Sequence, residues 1–583
     1  MSMVNIKING VKLSVPSSFT VLEAARQAGI EIPTLCYLKN INEIGACRIC
    51  VVEVKGSRTP LVAACVYPVN EGMEVFTNTP EVHESRRITL DLILSNHDRE
   101  CLSCIRNGNC ELQRLCWLFG VESENPFEGE VLQSEFDDSA VHMTRNNNKC
   151  ILCRRCSSIC KNTQRVGVIG PNERGFKTHI GCAFDLSLGE VGCVSCGQCI
   201  VVCPTAAIAE KDQTQEVWEA LADPNKHVIV QTAPSIRATI GEDFGLPIGT
   251  NTSGKMVAAL RRLGFDGVFD TNFGADMTIM EEAAEFIHRL ESGKNLPLIT
   301  SCSPGWVKDC EHYHQEFIPN LSTCKSPQQM FGALAKTWYA KEMKIDPKDI
   351  FVVGAMPCTA KKFEVAREDQ SAAGNGIPDC DVALTTREIS RMIKRAGLDF
   401  ANLPDEDFDQ LMGQSTGAGM IFGATGGVME AALRTASEWL TGQAGGTLEF
   451  SEVRGMDGVK EATYTIAGKT VNVAVASGLS HAEQILSKVK SGEKDYHFIE
   501  IMGCRGGCIN GGGQPIQGGH VRSFTDLKGI RAKVLYSADK EKKIRRSHEN
   551  PVVKRIYDEW LGKPGSEKAH EVLHTKYKVR SIF

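Results

Sequence analysis

Two cysteine runs of identical spacing constrain this chain more than any other feature. They are Cys150, Cys153, Cys156 and Cys160, then Cys193, Cys196, Cys199 and Cys203, the second followed by Pro204. A chain with so many thiols in so short a stretch folds around what they bind. The spacing is the bacterial C-x₂-C-x₂-C-x₃-C-P pattern, in which the fourth cysteine of each run ligates the other of two [4Fe–4S] clusters. The expected sets are therefore Cys150, Cys153, Cys156 and Cys203 on one cube, and Cys193, Cys196, Cys199 and Cys160 on the other. Zinc is the competing reading, but a zinc site takes four ligands and leaves two interleaved runs unexplained.

The chain has 24 cysteines in 583 residues. A disulfide scaffold suits a small secreted chain, whereas the opening Met1-Ser2-Met3-Val4-Asn5 shows neither a charged segment before an apolar stretch nor a twin-arginine signal. The expected compartment is the cytoplasm, and the expected use of cysteine is metal ligation. Cys36, Cys47, Cys50 and Cys65 supply four thiolates suited to a [2Fe–2S] cluster. Their spacing is wider than the plant-type C-x₄-C-x₂-C, and a zinc ribbon is the alternative. His97, Cys101, Cys104 and Cys110 bring one imidazole and three thiolates, a set that serves zinc and iron–sulfur equally well by itself. Lying between two stronger iron–sulfur signals, it reads as a third kind of relay cluster, its neutral imidazole raising the potential.

Around these groups the chain predicts an α+β, multidomain architecture. Val4–Ile8 and Val11–Val15 alternate about Asn9-Gly10, a hairpin signal, and Thr20 and Glu23 have capping-box spacing before a helix that Gly29 stops. Hairpin then helix resembles the β-grasp, plant-type ferredoxin fold, giving a domain at 1–80. A small His/Cys₃ domain is expected at 81–125, with a helical stretch from Arg86 to Ser95. An acidic loop from Glu122 to Asp138 leads into a two-cluster ferredoxin-like domain at 126–212. From 213 to 583 strands such as Val228–Val230, Leu298–Thr300 and Ile350–Val353 alternate with helical stretches, predicting a large α/β domain and a tail. The net charge of −6 argues against a nucleic-acid partner, and no apolar run approaches the ~20 residues of a membrane span.

The remaining grouped cysteines lie far apart, in Thr300-Ser301-Cys302-Ser303-Pro304-Gly305-Trp306, Met356-Pro357-Cys358-Thr359-Ala360-Lys361-Lys362 and Gly503-Cys504-Arg505-Gly506-Gly507-Cys508. These three stretches resemble the signature motifs of [FeFe]-hydrogenases, and the resemblance spans essentially the whole chain. It implies reversible hydrogen oxidation at a buried H-cluster, a [4Fe–4S] cube joined to a two-iron unit carrying CO, cyanide and an amine-containing dithiolate. By resemblance Cys358, Cys504 and Cys508 ligate the cube, Cys508 as the bridge, while Lys361 and Ser235 can donate to the cyanides. Pro234, Gln328, Met356 and Met502 are implied around the cofactor, and Glu282, Glu285 and Ser322 match the relay that carries protons.

In one place the chain departs from the family. The first motif holds adjacent cysteines in relatives, the second on the cube and the first passing protons, but here Ser303 follows Cys302. Soft iron–sulfur centres favour thiolate over alkoxide, which prefers Cys302 as ligand with Ser303 carrying protons; the alternative leaves Cys302 its proton role. Cys116, Cys182, Cys310, Cys324 and Cys380 stand alone and read as buried filler. No G-x-G-x-x-G follows a strand, so a flavin or nicotinamide belongs on a partner. The resemblance extends to subunits of NAD(P)-linked, electron-bifurcating hydrogenases of anaerobes, with ferredoxin and flavin- and NAD(P)-binding iron–sulfur subunits as expected partners. An electron-transfer subunit without hydrogen chemistry, or a hydrogen sensor, are the alternatives.

Overall fold

The structure, a computed structural model, describes residues 2–582 apart from 122–126, 128, 444 and 457. The start of the acidic segment expected at 122–138 lies outside the described residues; its end, Phe136–Asp137, pairs as a short strand with Met143–Asn146.

The first strands form a five-stranded sheet in the order Val11–Pro16, Met3–Ile8, Glu74–Phe76, Val51–Val54, Leu61–Ala63. Asn9 and Gly10 close the hairpin at φ 48° and 83°, the two left-handed positions that a tight turn of matching twist requires. The helix Val21–Gln27 is capped reciprocally: Glu23 N–H donates to Thr20 Oγ1 at 3.3 Å and Thr20 N–H to the Glu23 carboxylate at 3.0 Å. Its buried Val21, Leu22, Ala24 and Ala25 pack on Ile6, Ile8, Val52 and Val75. The next helix, Pro80–Leu94, starts earlier than the sequence suggests, because Thr79 caps it and Pro80 occupies its first position.

The two cysteine runs repeat one backbone conformation. Leu152 and Arg154 flank Cys153 at φ 53° and 62°, and Ser195 and Gly197 flank Cys196 at φ 61° and 66°. Left-handed residues are rare outside glycine, so the same pair in both loops reflects a shared demand. Each loop must turn three thiols inward.

The large domain holds two four-stranded sheets. One is wholly parallel, in the order Gly267–Asp270, His227–Thr232, Ile350–Met356, Val382–Thr385. The other runs Leu298–Ile299, Phe498–Met502, Lys469–Ser477, Gly458–Ile466, parallel except for its last hairpin. Parallel sheets gather ligand-binding groups beyond the carboxyl ends of their strands. Thr232 leads to Pro234, Ile299 to Cys302, Met356 to Cys358 and Met502 to Cys504, so both sheets deliver their motifs to one place. The helix Thr271–Ser292 is buried along most of its length. Beyond the last helix, Glu567–Leu573, the chain returns across the domain, where His574 forms a bridge with Cys324 and Thr575 N–H donates to Thr323 O at 2.8 Å. Among the described residues no helix is long and apolar enough to cross a membrane.

Candidate metal centres and catalytic cavity

Cys150, Cys153, Cys156 and Cys203 line one small cavity, with Pro204 and Ile208 in its wall. Cys160 lies elsewhere. Burial and then the charges of Cys196, Cys193, Cys160 and Cys156 hold the Cys199 thiol well above its usual range, which sets it close to the other thiols of the second run and to Cys160. In the first domain the Cys36 thiol is hydrogen-bonded to Cys47 and that of Cys50 to Cys65; the bond from Cys36 pushes Cys47 down to about 6.

Burial pushes His97 down to about 4, so its ring is neutral, and its Nδ1 is buried with no hydrogen-bond partner. An orphaned buried nitrogen costs ~1–3 kcal/mol unless something takes its lone pair, and a neutral imidazole beside thiols is suited to a metal. Cys101 is exposed and Cys104 and Cys110 half-buried, which leaves this group open to solvent on one side.

The three distant motifs meet in a cavity with about 710 Å³ of space unfilled by protein, its mouth included. Cys302, Ser303, Cys358, Lys361, Cys504 and Cys508 line it with Pro234, Gln328, Met356 and Met502. Burial, then Cys358, raises both Cys504 and Cys508; Cys196 and Cys508 add to the rise of Cys504, and Cys508 is pushed up to about 12 against the pull of Lys361. Gly507 sits at φ 91°, and a Cβ there would stand 2.7 Å from Thr425 N, so only glycine lets the backbone pass. Three converging thiols in a largely apolar cavity fit a sulfur-bound iron cluster.

Lys361 is pinned at the wall: Nζ donates to Ser326 Oγ and the Glu364 carboxylate, each at 2.8 Å, and to Cys302 O at 3.4 Å. Gln328 Nε2 donates to the same carboxylate at 3.1 Å, leaving its buried Oε1 without a partner. Ser235 stands behind Pro234, fully buried, its hydroxyl accepting from Gln514 Nε2 at 3.3 Å.

Cys302 and Ser303 have different neighbours. Ser303 Oγ accepts the Gly503 N–H at 3.1 Å, which sets the hydroxyl beside the motif of Cys504. Cys302 packs on the apolar cluster of Ile279, Ala283 and Met502. Burial, then the Glu282 carboxylate and Cys508, holds its thiol well above the ordinary range. Ligand chemistry alone prefers Cys302 on the metal; these neighbours weigh the other way.

Glu282 is buried, not part of a solvated helix face. Desolvation, against a hydrogen bond from Ser322 and aided by Glu285 and Glu500, pushes its carboxyl up to about 8, and one carboxyl oxygen has no partner. Glu285 accepts from Thr323 N–H (3.0 Å), Thr323 Oγ1 (3.1 Å), Ser322 Oγ (3.4 Å) and Cys324 Sγ (3.7 Å), and pairs with Arg289 at 2.5 Å. Cys324, read as filler, thus faces the acidic line. On the opposite side Gln198 Nε2 donates to Cys504 Sγ at 3.2 Å and to Asn510 O at 2.9 Å, joining the second ferredoxin-like centre to the cavity. Neither Gln198 nor Thr323 carries a signal in sequence; tertiary contact alone assigns them.

A thiol-lined cavity, joined through Gln198 to a cysteine-rich centre and flanked by buried acids beside Cys302, defines an iron–sulfur redox enzyme. Residues 226–512 match the iron-only hydrogenase large subunit, C-terminal domain, and 526–580 the iron hydrogenase small subunit. Residues 1–80 match a 2Fe-2S cluster-binding domain and 86–125 the iron–sulfur binding region of NADH-ubiquinone oxidoreductase-G. The chain is 49% identical over 592 residues to the NADP-reducing hydrogenase subunit HndD of Solidesulfovibrio fructosivorans, covering 100% of each. It is 44% identical over 578 residues to iron hydrogenase 1 of Clostridium pasteurianum, covering 99% of this chain and 100% of that one. The solved apo structure of a variant of [FeFe]-hydrogenase HydA1 from Chlamydomonas reinhardtii matches with TM-score 0.57 at 41% identity, over 64% of this chain and 100% of that one. The chain belongs to the iron-only, or [FeFe], hydrogenases. It is an iron–sulfur oxidoreductase acting on H₂, with iron–sulfur domains at its N-terminus and the hydrogenase domain after them.

Proposed function

We propose that this chain is the hydrogen-converting subunit of a cytoplasmic, electron-bifurcating assembly, exchanging electrons with ferredoxin and with a flavin- and NAD(P)-binding partner. The observation that carries the reading is the cavity's position between Gln198 on the cluster side and the Glu282–Glu285 line on the other. When bound, the two-iron unit supplies the hydrogen-splitting chemistry. The chain supplies the rest. Cys358, Cys504 and Cys508 would hold the cube, with Ser303 as its fourth ligand. Lys361 and Ser235 offer donors to the cyanides, while Pro234, Gln328, Met356 and Met502 shape the chamber. Cys302 exchanges a proton with Glu282, and Ser322 hands it to Glu285. Accessory electrons pass through one [2Fe–2S] and three [4Fe–4S] clusters on the ligand sets given above.

Metal analysis tests the cluster assignment. Anaerobically prepared protein should hold about 20 irons, the total for one [2Fe–2S] cluster, four cubes and a two-iron unit. Stoichiometric zinc in place of that iron would count against it.

The partner reading draws on the absence of a dinucleotide fingerprint from the sequence, and on the name of HndD, which marks that relative as a subunit of an NADP-reducing enzyme. The purified chain should reduce viologen or ferredoxin with H₂ but leave NAD and NADP untouched, and native protein should co-purify with a flavoprotein. Efficient NADP reduction by the chain alone would overturn the assignment.

A further inference from the structure

Glu285 does not end the line of acids. Thr323 Oγ1 stands 3.1 Å from its carboxylate and 2.7 Å from Nδ1 of His574, a residue of the C-terminal tail. His574 Nε2 lies 3.0 Å from Glu281, whose fully buried carboxylate also accepts from Tyr557 Oη at 2.5 Å and Gly565 N–H at 2.9 Å. The ring of the exposed His570 rests against that of His574 with centroids 4.0 Å apart. From the Thr323 and Glu281 contacts, we propose that His574 is the residue through which Glu285 exchanges protons with solvent, Thr323 carrying the proton between them and Glu281 orienting the ring.

The hydrogen-bonding capacities fix how this works. Glu281 is an acceptor when ionised, so Nε2 carries a hydrogen and Nδ1 is left as the working nitrogen. With Glu285 protonated, its O–H donates to Thr323 Oγ1, and the Thr323 O–H donates to Nδ1. One concerted shift breaks the Glu285 O–H bond, forms a new bond at Thr323, breaks the old one and forms Nδ1–H. The products are a Glu285 carboxylate and an imidazolium, with Thr323 unchanged and now donating to Glu285. Nothing is oxidised or reduced. The imidazolium faces the Glu281 carboxylate, and His570 beside it is a solvent-facing base. Among the described residues, the titratable groups around this segment also include Glu282, Arg289 and Cys324 beside Glu285, Tyr557 on Glu281, and Tyr577, whose hydroxyl donates to Ser322 O at 2.6 Å.

This inference rests on Glu285 being part of the proton route, and the test separates the two. Hydrogen evolution, the solvent isotope effect and the carboxyl infrared bands of protein carrying only its cubes are compared in His574→Ala, His574→Gln and Glu285→Gln. We expect His574→Ala to slow evolution at least tenfold, less than the ~10²–10⁴ of a directly placed acid or base, and to enlarge the isotope effect. Added imidazole should restore a large part of that rate, whereas His574→Gln, which can still hydrogen-bond to Glu281, should stay slow and unrescued. The Glu285 carboxyl band, identified by its loss in Glu285→Gln, should shift in His574→Gln. The proposal fails if both His574 variants match the parent in rate, isotope effect and band position while Glu285→Gln is slow. It fails with the relay itself if Glu285→Gln is as fast as the parent. If His574→Ala loses iron, His574→Gln decides by the same rate and band.

Discussion

Replacing Glu282 by Gln is expected to lower hydrogen evolution and oxidation by at least about 10²-fold, the lower end of what a positioned proton-transfer group contributes. Iron content and cluster spectra should stay at parent values. Glutamine keeps the shape of the side chain but can neither take nor give a proton at the point where Cys302 meets the acidic line. The pH profile carries a second mark. With the carboxyl pushed up to about 8, Glu282 holds its proton at neutral pH, so evolution should be level up to about pH 8 and fall above it. Removing the Glu285 charge in Glu285→Gln takes away a neighbour that raises Glu282, so the falling limb should move to lower pH. Stability follows the same group. Its folded-state value lies above the ordinary 4.5, so the folded chain keeps a proton that the unfolded chain has lost. That contribution is full below about 4.5 and declines as pH rises to about 8; in Glu282→Gln the stability curve should flatten over this window. An unchanged rate and an unmoved pH limb would remove Glu282 from the route.

The second large effect separates Cys302 from Ser303. With Ser303 beside Cys504 and Cys302 beside Glu282, Cys302→Ala should keep the catalytic cube, seen by electron paramagnetic resonance, and lose turnover by about 10²-fold or more. Ser303→Ala should deplete that cube, since three thiolates then hold it alone, while Ser303→Cys should bind it more firmly because thiolate is the softer ligand. The opposite pattern, a cube lost in Cys302→Ala and retained in Ser303→Ala, would place Cys302 on the metal.

How much of this was legible in sequence differs by residue. The interleaved runs, the capped first helix and the hairpin at Asn9-Gly10 are local patterns, and local patterns survive folding because their partners lie a few residues away. The three catalytic motifs carry enough cysteine and glycine to be recognised although they meet only in space. Glu282 shows why burial is harder to read: three glutamates in Glu281-Glu282-Ala283-Ala284-Glu285 resemble a solvated face, and only packing of the surrounding helices takes Glu282 out of water. The start of the second helix at Pro80 had a written signal, Thr79-Pro80, that hydrophobic periodicity passes over. His574, Thr323 and Gln198 are single polar residues among many, given their places by chain segments far away in sequence.

Where the two-cluster unit meets the catalytic loop, two glycines leave no room for a side chain, beside the hydrogen bonds that Gln198 makes across the joint. A Cβ on Gly512 would collide with the Cys196 carbonyl, and one on Gly197 with the Thr359 hydroxyl. By contrast the first domain reaches the two-cluster unit through side chains, Asn42 Nδ2 donating to Cys153 O at 3.0 Å and Arg155 Nε to Cys36 O at 3.3 Å. The two joints differ in what they permit as modules. A foreign [2Fe–2S] domain can be grafted ahead of this chain if it presents a few matching polar groups, because side chains can adjust to a new neighbour. A foreign two-cluster unit has to bring a glycine at the place of Gly197, a main chain that fits against Gly512 and a side chain that reaches Cys504 as Gln198 does, so the transplantable boundary lies ahead of the two-cluster unit and not behind it.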